Sequence, residues 1–173
     1  VTICRYIALQ PVGIFQNFYL WTFLTSMFMH GSFAHLFINM FVLISLGSLM
    51  ERIIGRKRFA LFYIISGIFA GIFYVFLDSY AVGASGAIFA IAGLFVILIP
   101  KARFTIIFFP FFSLPGYVMI PLVLVLTWVI SLLAPIGIGN TAHLGGFLGG
   151  LIYWLYLRRK YRRKIKLLNK YFK

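Results

Sequence analysis

Small clusters of charge divide the sequence into long apolar runs, and that pattern restricts the chain to a bundle of membrane-crossing helices. The runs cover residues 34–50, 59–77, 85–99, 117–133 and 141–157. About 20 apolar residues, each rising about 1.5 Å in a helix, cross a hydrocarbon core of roughly 30 Å. Inside that core a helix satisfies its own backbone groups, which an open strand does not. With 63% hydrophobic and 10% charged residues, a soluble globular domain is excluded. The expected fold class is therefore all-α, a polytopic membrane helix bundle with five clear spans. At 173 residues it is one membrane domain, 1–157, followed by a basic tail, 158–173.

Residues 1–33 are apolar but interrupted by Arg5, Pro11, Gly13, Gln16 and Asn17, with Trp21 suited to an interface. They read as a loop in the outer leaflet; hydropathy alone also allows 12–29 as a further span. Gly67 and Gly71 are four apart in the second run, a spacing that lets two helices approach closely. The net charge of +14 could suggest nucleic acid, but the cations sit at the ends of apolar runs and act as topology signals. Of 16 Lys and Arg, all but Arg5 fall on the side of the 51–58 turn, the 101–103 connection and the tail. That side is expected to be cytoplasmic, which makes this an integral protein of the cell membrane. The tail interleaves cations with Tyr161, Ile165, Leu167, Leu168 and Phe172, and is expected to lie on acidic headgroups of the bilayer. This topology puts Val1 outside without a visible signal peptide, so a helix is expected to be missing upstream.

Gly83-Ala84-Ser85-Gly86 opens the run 85–99. Small residues in a membrane helix ordinarily mean close packing, but a serine at a helix start also has free N–H groups beside it. Depth separates the two readings. Counting back from the first cation of each helix, Ser85 lies roughly 24 Å, His143 roughly 22 Å, Asn39 roughly 20 Å and His35 roughly 26 Å from the charged side. Four polar groups at one level, on three helices, are costly unless they pair or meet water, so they form a candidate site. Serine needs a base to take its proton, and His143 is the candidate. The only acids are Glu51, beside the cytoplasmic cations, and Asp78, at an outer helix end, so a Ser-His dyad remains in place of a triad. Phe89 lies one turn from Ser85 and could stack on the imidazole. The Ser85 amide and the side chains of Asn39 and His30 are the available oxyanion donors, with His35 on the same face as Asn39. No metal or other cofactor is expected: there is no His-Glu-x-x-His and no carboxylate at that depth, and Cys4 is the single cysteine.

In these pieces the chain resembles the rhomboid family of intramembrane serine proteases: His30-Gly31-Ser32-Phe33-Ala34-His35 with Asn39-Met40, Gly47 through Glu51-Arg52 and Gly55, Gly83-Ala84-Ser85-Gly86-Ala87, and Ala142-His143-Leu144-Gly145-Gly146 with Gly150. The resemblance implies Ser85 as nucleophile, His143 as general base, and Asn39, His30 and the Ser85 amide at the oxyanion. It makes His35 a support of the polar layer and Glu51 a structural acid, and lets Gly146 and Gly150 bring the histidine helix onto the serine helix. It also implies transmembrane protein substrates, cut near the outer face, with 117–133 and 134–140 as gate and cap. Three features depart from the family. Its usual first helix is absent here, Thr22 follows Trp21 where the family has arginine, and Phe89 stands where some relatives have tyrosine. A non-catalytic relative that binds membrane helices is the alternative, although such relatives lose the serine or the histidine. A solute transporter would show repeated halves, and none is seen.

Overall fold

In the computed structural model, residues 2–76, 80–106, 109–133 and 137–171 are described. Asp78, part of the 134–140 turn and Phe172 fall outside them.

The N-terminal segment folds as three short helices, α1 (Thr2–Ile7), α2 (Pro11–Phe15) and α3 (Thr22–Thr25), with a 3-10 turn at Ser26–Phe28. None approaches the length of a span. Trp21 Nε1 donates to the Tyr6 carbonyl at 2.8 Å and Thr25 Oγ1 to that of Ile7 at 2.8 Å, which folds the loop on itself. Thr22 is 1% exposed, with its hydroxyl on the Tyr19 carbonyl at 2.6 Å.

The first long helix is continuous over Phe33–Ile54, as α4 (Phe33–Val42), a π-helical stretch at Leu43–Gly47, and α5 (Ser48–Ile54). Ser32 starts it: extended itself, it accepts the His35 N–H at 3.1 Å, as an N-cap should. Gly55 ends it at φ +89, a conformation that suits glycine, and the chain reverses into α6 (Arg56–Val75). Glu51 pairs with Arg56 across this turn at 3.1 Å, far along the helix from the polar layer. The following helices are α7 (Ser85–Leu98), α8 (Gly116–Leu133), α9 (Asn140–Lys160) and α10 (Arg162–Tyr171).

Among the described residues three helices, Phe33–Ile54, α6 and α8, are long and apolar enough to cross a bilayer, where five were expected. α7 has 14 residues, about 21 Å, and most of them are buried among other helices. A helix wrapped by protein need not match the hydrocarbon thickness, because lipid does not touch most of it. α9 is long enough at 21 residues, but its polar first turn and its glycines lower its hydropathy. The Phe-rich connection 101–115 forms an antiparallel hairpin, β1 (Arg103–Ile106) with β2 (Phe109–Pro115), clasped by Arg103 Nε donating to Ser113 Oγ at 2.9 Å.

The core lies around α7. Ile91, Leu94, Leu98 and Ile99 are buried with Met50, Phe62 and Leu157 from the neighbouring helices. Its closest seam is with α9, where a Cβ at Gly146 would collide with the Gly86 carbonyl and one at Gly150 with that of Ala90. The two backbones touch without side chains between them. Gly67 and Gly71 admit close neighbours from the N-terminal loop as well as from a helix. A Cβ at Gly71 would sit 3.0 Å from Phe23, and one at Gly67 would meet Met27 and lie 3.3 Å from Ala87 of α7, so these glycines seat the N-terminal loop and bring α6 close to α7.

Candidate active site

Ser85 begins α7 because the residues before it cannot continue a helix. Gly83 has φ +117, and its N–H donates to the Ser26 carbonyl at 2.8 Å. Two residues earlier, Ala81 exchanges backbone hydrogen bonds with Leu9 at 3.0 and 2.9 Å, and the Tyr74 hydroxyl bridges the N–H and carbonyl of Tyr80. The loop ahead of the serine is thus pinned to the N-terminal segment and to α6. The first amides of α7 are left without helical partners, as at any helix start.

His143 lies in the first turn of α9, 5% exposed, and its Nε2 is 2.8 Å from Ser85 Oγ. The seam of glycines explains how two residues 58 apart in sequence meet: with no Cβ at Gly146, α9 lies against the Gly86 carbonyl, one residue beyond the serine. Phe89 stacks on the imidazole, centroids 4.4 Å apart and planes at 24°. On the ring's other edge, Nδ1 is buried with no hydrogen-bond partner among the described residues. Among the described residues no carboxylate orients it. A hydroxyl bonded to a neutral imidazole, in a buried setting, can pass its proton to the ring as the oxygen attacks an electrophile.

His30, His35 and Asn39 gather beside the serine's loop. The His35 ring covers Gly83 so closely that a Cβ there would be 2.8 Å from Cε1 and 2.9 Å from Nε2, with Asn39 Nδ2 3.7 Å away. Asn39 is 5% exposed and donates one amide proton to the His35 carbonyl at 3.0 Å. The amide carries a second proton, available to another acceptor. His30 packs edge-on against His35, centroids 5.1 Å apart. Every polar residue placed at one depth by counting along the helices therefore lies in one layer around Gly83–Ser85, whereas Glu51 sits apart from it.

Two neighbours of these residues were given no role from the sequence. Ala142 packs on Gly86 beside the serine, and Asn140 sits buried three residues before His143. The i, i+3 spacing of Asn140 and His143 was visible as a signal.

A family model described as the Rhomboid domain matches residues 17–160, which include all of these residues and the helices that carry them. The chain belongs to the rhomboid family. It is 35% identical over 134 residues to RHOMBOID-like protein 4 of Arabidopsis thaliana, covering 76% of this chain and 32% of that protein. It is 34% identical over 143 residues to Rhomboid-type serine protease 2 of Emericella nidulans, covering 79% of this chain and 27% of the relative. A third relative, the human mitochondrial Presenilin-associated rhomboid-like protein, is 31% identical over 140 residues, 77% of this chain and 37% of its own length. The chain thus spans about a third of these relatives. As a rhomboid with three apolar helices of spanning length, it is an integral membrane protein.

Proposed function

We propose that this rhomboid is an intramembrane serine endopeptidase that cuts transmembrane segments of other membrane proteins with a Ser85–His143 dyad. The single observation that carries the reading is the 2.8 Å contact between His143 Nε2 and Ser85 Oγ at the start of a buried helix. In the proposed reaction His143 takes the Ser85 proton as Oγ attacks a peptide carbonyl. It then returns that proton to the departing amine, leaving an acyl-enzyme that water hydrolyses. The Ser85 N–H, the free Asn39 amide proton and His30 would hold the oxyanion, with His35 fixing Asn39's helix against Gly83. Phe89 would do what an acid does elsewhere and hold the imidazole flat. The relative named as a rhomboid-type serine protease agrees with this reading.

The site's depth supports transmembrane substrates. α7 is about 21 Å long, so Ser85 at its start lies beneath one surface when the basic end rests at the other. The positive-inside asymmetry favours a cytoplasmic tail in a cell membrane, with the site opening outward. The partners are then a substrate helix and the bilayer itself, with neither metal nor nucleic acid involved.

The test is cleavage of a single-span substrate in liposomes by the wild type, Ser85→Ala and His143→Ala. Each substitution is expected to abolish turnover while the thermal unfolding of the protein stays close to wild type, since dyad members act as a unit. Turnover that persists in either folded variant assigns the chemistry elsewhere.

A further inference from the structure

With Nδ1 of His143 unpartnered among the described residues, the ring is oriented by Phe89 and by the position of the turn that carries it. That turn begins at Asn140, which is 8% exposed and shares a helix face with His143. Asn140 Nδ2 donates to Ser131 Oγ of α8 at 2.8 Å, and Ser131 Oγ donates to the Thr127 carbonyl at 2.9 Å. A hydroxyl has one proton. Because that proton goes to Thr127, Ser131 can only accept from Asn140, which fixes the amide with its NH2 toward α8. Asn140 Oδ1 faces away from Ser131, buried and without a hydrogen-bond partner among the described residues.

The place of this bond on α8 matters. The helix is buried near its start, at Gly116, Met119 and Ile120, while Leu132 and Leu133 at its far end are 83% and 82% exposed. The Ser131–Asn140 bond therefore ties a weakly packed helix end to the turn that holds the imidazole.

We propose that Asn140 is a positioning residue that transmits the seating of α8 to His143. With α8 seated, the bond holds the first turn of α9 so that Nε2 faces Ser85 Oγ. When the end of α8 moves away, the bond breaks and the dyad loosens. The inference rests on the dyad reading above and adds to it a coupling between one helix's position and the base.

The test compares Ser131→Val, Asn140→Ala and the double variant, in detergent, by two rates. One is labelling of Ser85 by a small fluorophosphonate, which reaches the serine without a transmembrane segment having to enter. The other is kcat and KM on a single-span substrate. Each single variant is expected to lower labelling and kcat together by about fivefold, the factor attached to one neutral hydrogen bond, with KM unchanged. The double variant should be no slower than the singles, because they remove the same bond. Ser131→Thr keeps the hydroxyl and should stay within about twofold of wild type by the same reasoning. Unchanged labelling with faster cleavage would overturn the proposal, since the bond would then only restrain entry. Unchanged rates in both assays would overturn it as well. If Asn140→Ala does not fold, the Ser131→Val and Ser131→Thr pair decides the matter alone. A folded wild type that is not labelled at Ser85 removes the dyad itself, an outcome distinct from variants that label normally.

Discussion

At the scale of single residues, the unusual feature is an imidazole held, among the described residues, without an acid. Phe89 covers one face of His143 at 4.4 Å, and such stacked pairs are worth about 0.5–1.5 kcal/mol beyond area burial. Phe89→Ala is expected to lower kcat by about two- to tenfold while Phe89→Tyr stays near wild type, measured as initial rates on a single-span substrate. Equal losses in both variants would assign Phe89 to packing alone. Asn39 has one amide proton on the His35 carbonyl and one to offer, so Asn39→Ala should reduce kcat by about ten- to a thousandfold, as for loss of one oxyanion donor. A raised KM with kcat intact would place Asn39 in substrate binding instead. These residues were legible from sequence because membrane depth is a one-dimensional quantity: counting from a charged anchor ranks polar groups by level. Asn140 was not singled out, although its spacing from His143 was visible, because its contact depends on where α8 ends in space. That is a property of packing, which helix counting does not reach.

At the scale of elements, close approach of α9 to α7 is what brings the dyad together. The two backbones meet at Gly146 and Gly150, and the obstacle to a larger residue is a carbonyl oxygen that cannot turn aside. Gly149 faces Phe69 instead, 3.1 Å from a built Cβ, and a side chain can yield by a few tenths of an ångström. Gly146→Ala is therefore expected to destabilise by about 1–3 kcal/mol or more and to abolish cleavage, and Gly149→Ala to cost less than half as much. Thermal unfolding in detergent checks the order; equal losses would contradict the backbone seam. For the glycines of α9 the approach to α7 was what the family resemblance implied, and Gly146 and Gly150 do lie against the Gly86 and Ala90 carbonyls. Gly67 and Gly71 carry the same spacing, and while Gly67 lies against Ala87 of α7, the pair also seats Met27 and Phe23 of the N-terminal loop. Spacing shows that something comes close and leaves open whether it is a helix. Fewer than the five expected spans meet the length and hydropathy of a crossing among the described residues for a related reason. Hydropathy measures a helix against lipid, but α7 is surrounded by protein and can be short, while α9 carries its polar turn inward.

At the scale of the whole molecule, the N-terminal loop, α6 and α9 surround the start of α7 and enclose the proposed hydrolytic site inside a membrane protein. A serine about 21 Å from the far end of its helix lies just beneath one surface, and a substrate must present an unwound peptide bond there. Glycine, proline and small residues near that end of a substrate helix lower the cost of unwinding. The central claim, that Ser85 cuts membrane helices at this level, is tested most directly by incubating a single-span substrate with the rhomboid in liposomes and mapping the products by mass spectrometry. The account predicts cuts clustered near the outward end of the span, after a small residue. It also predicts that they vanish with Ser85→Ala and are suppressed when the substrate's helix-breaking residues become leucine. Cuts clustered at the basic, tail-side end, or products that persist with Ser85→Ala, would contradict it.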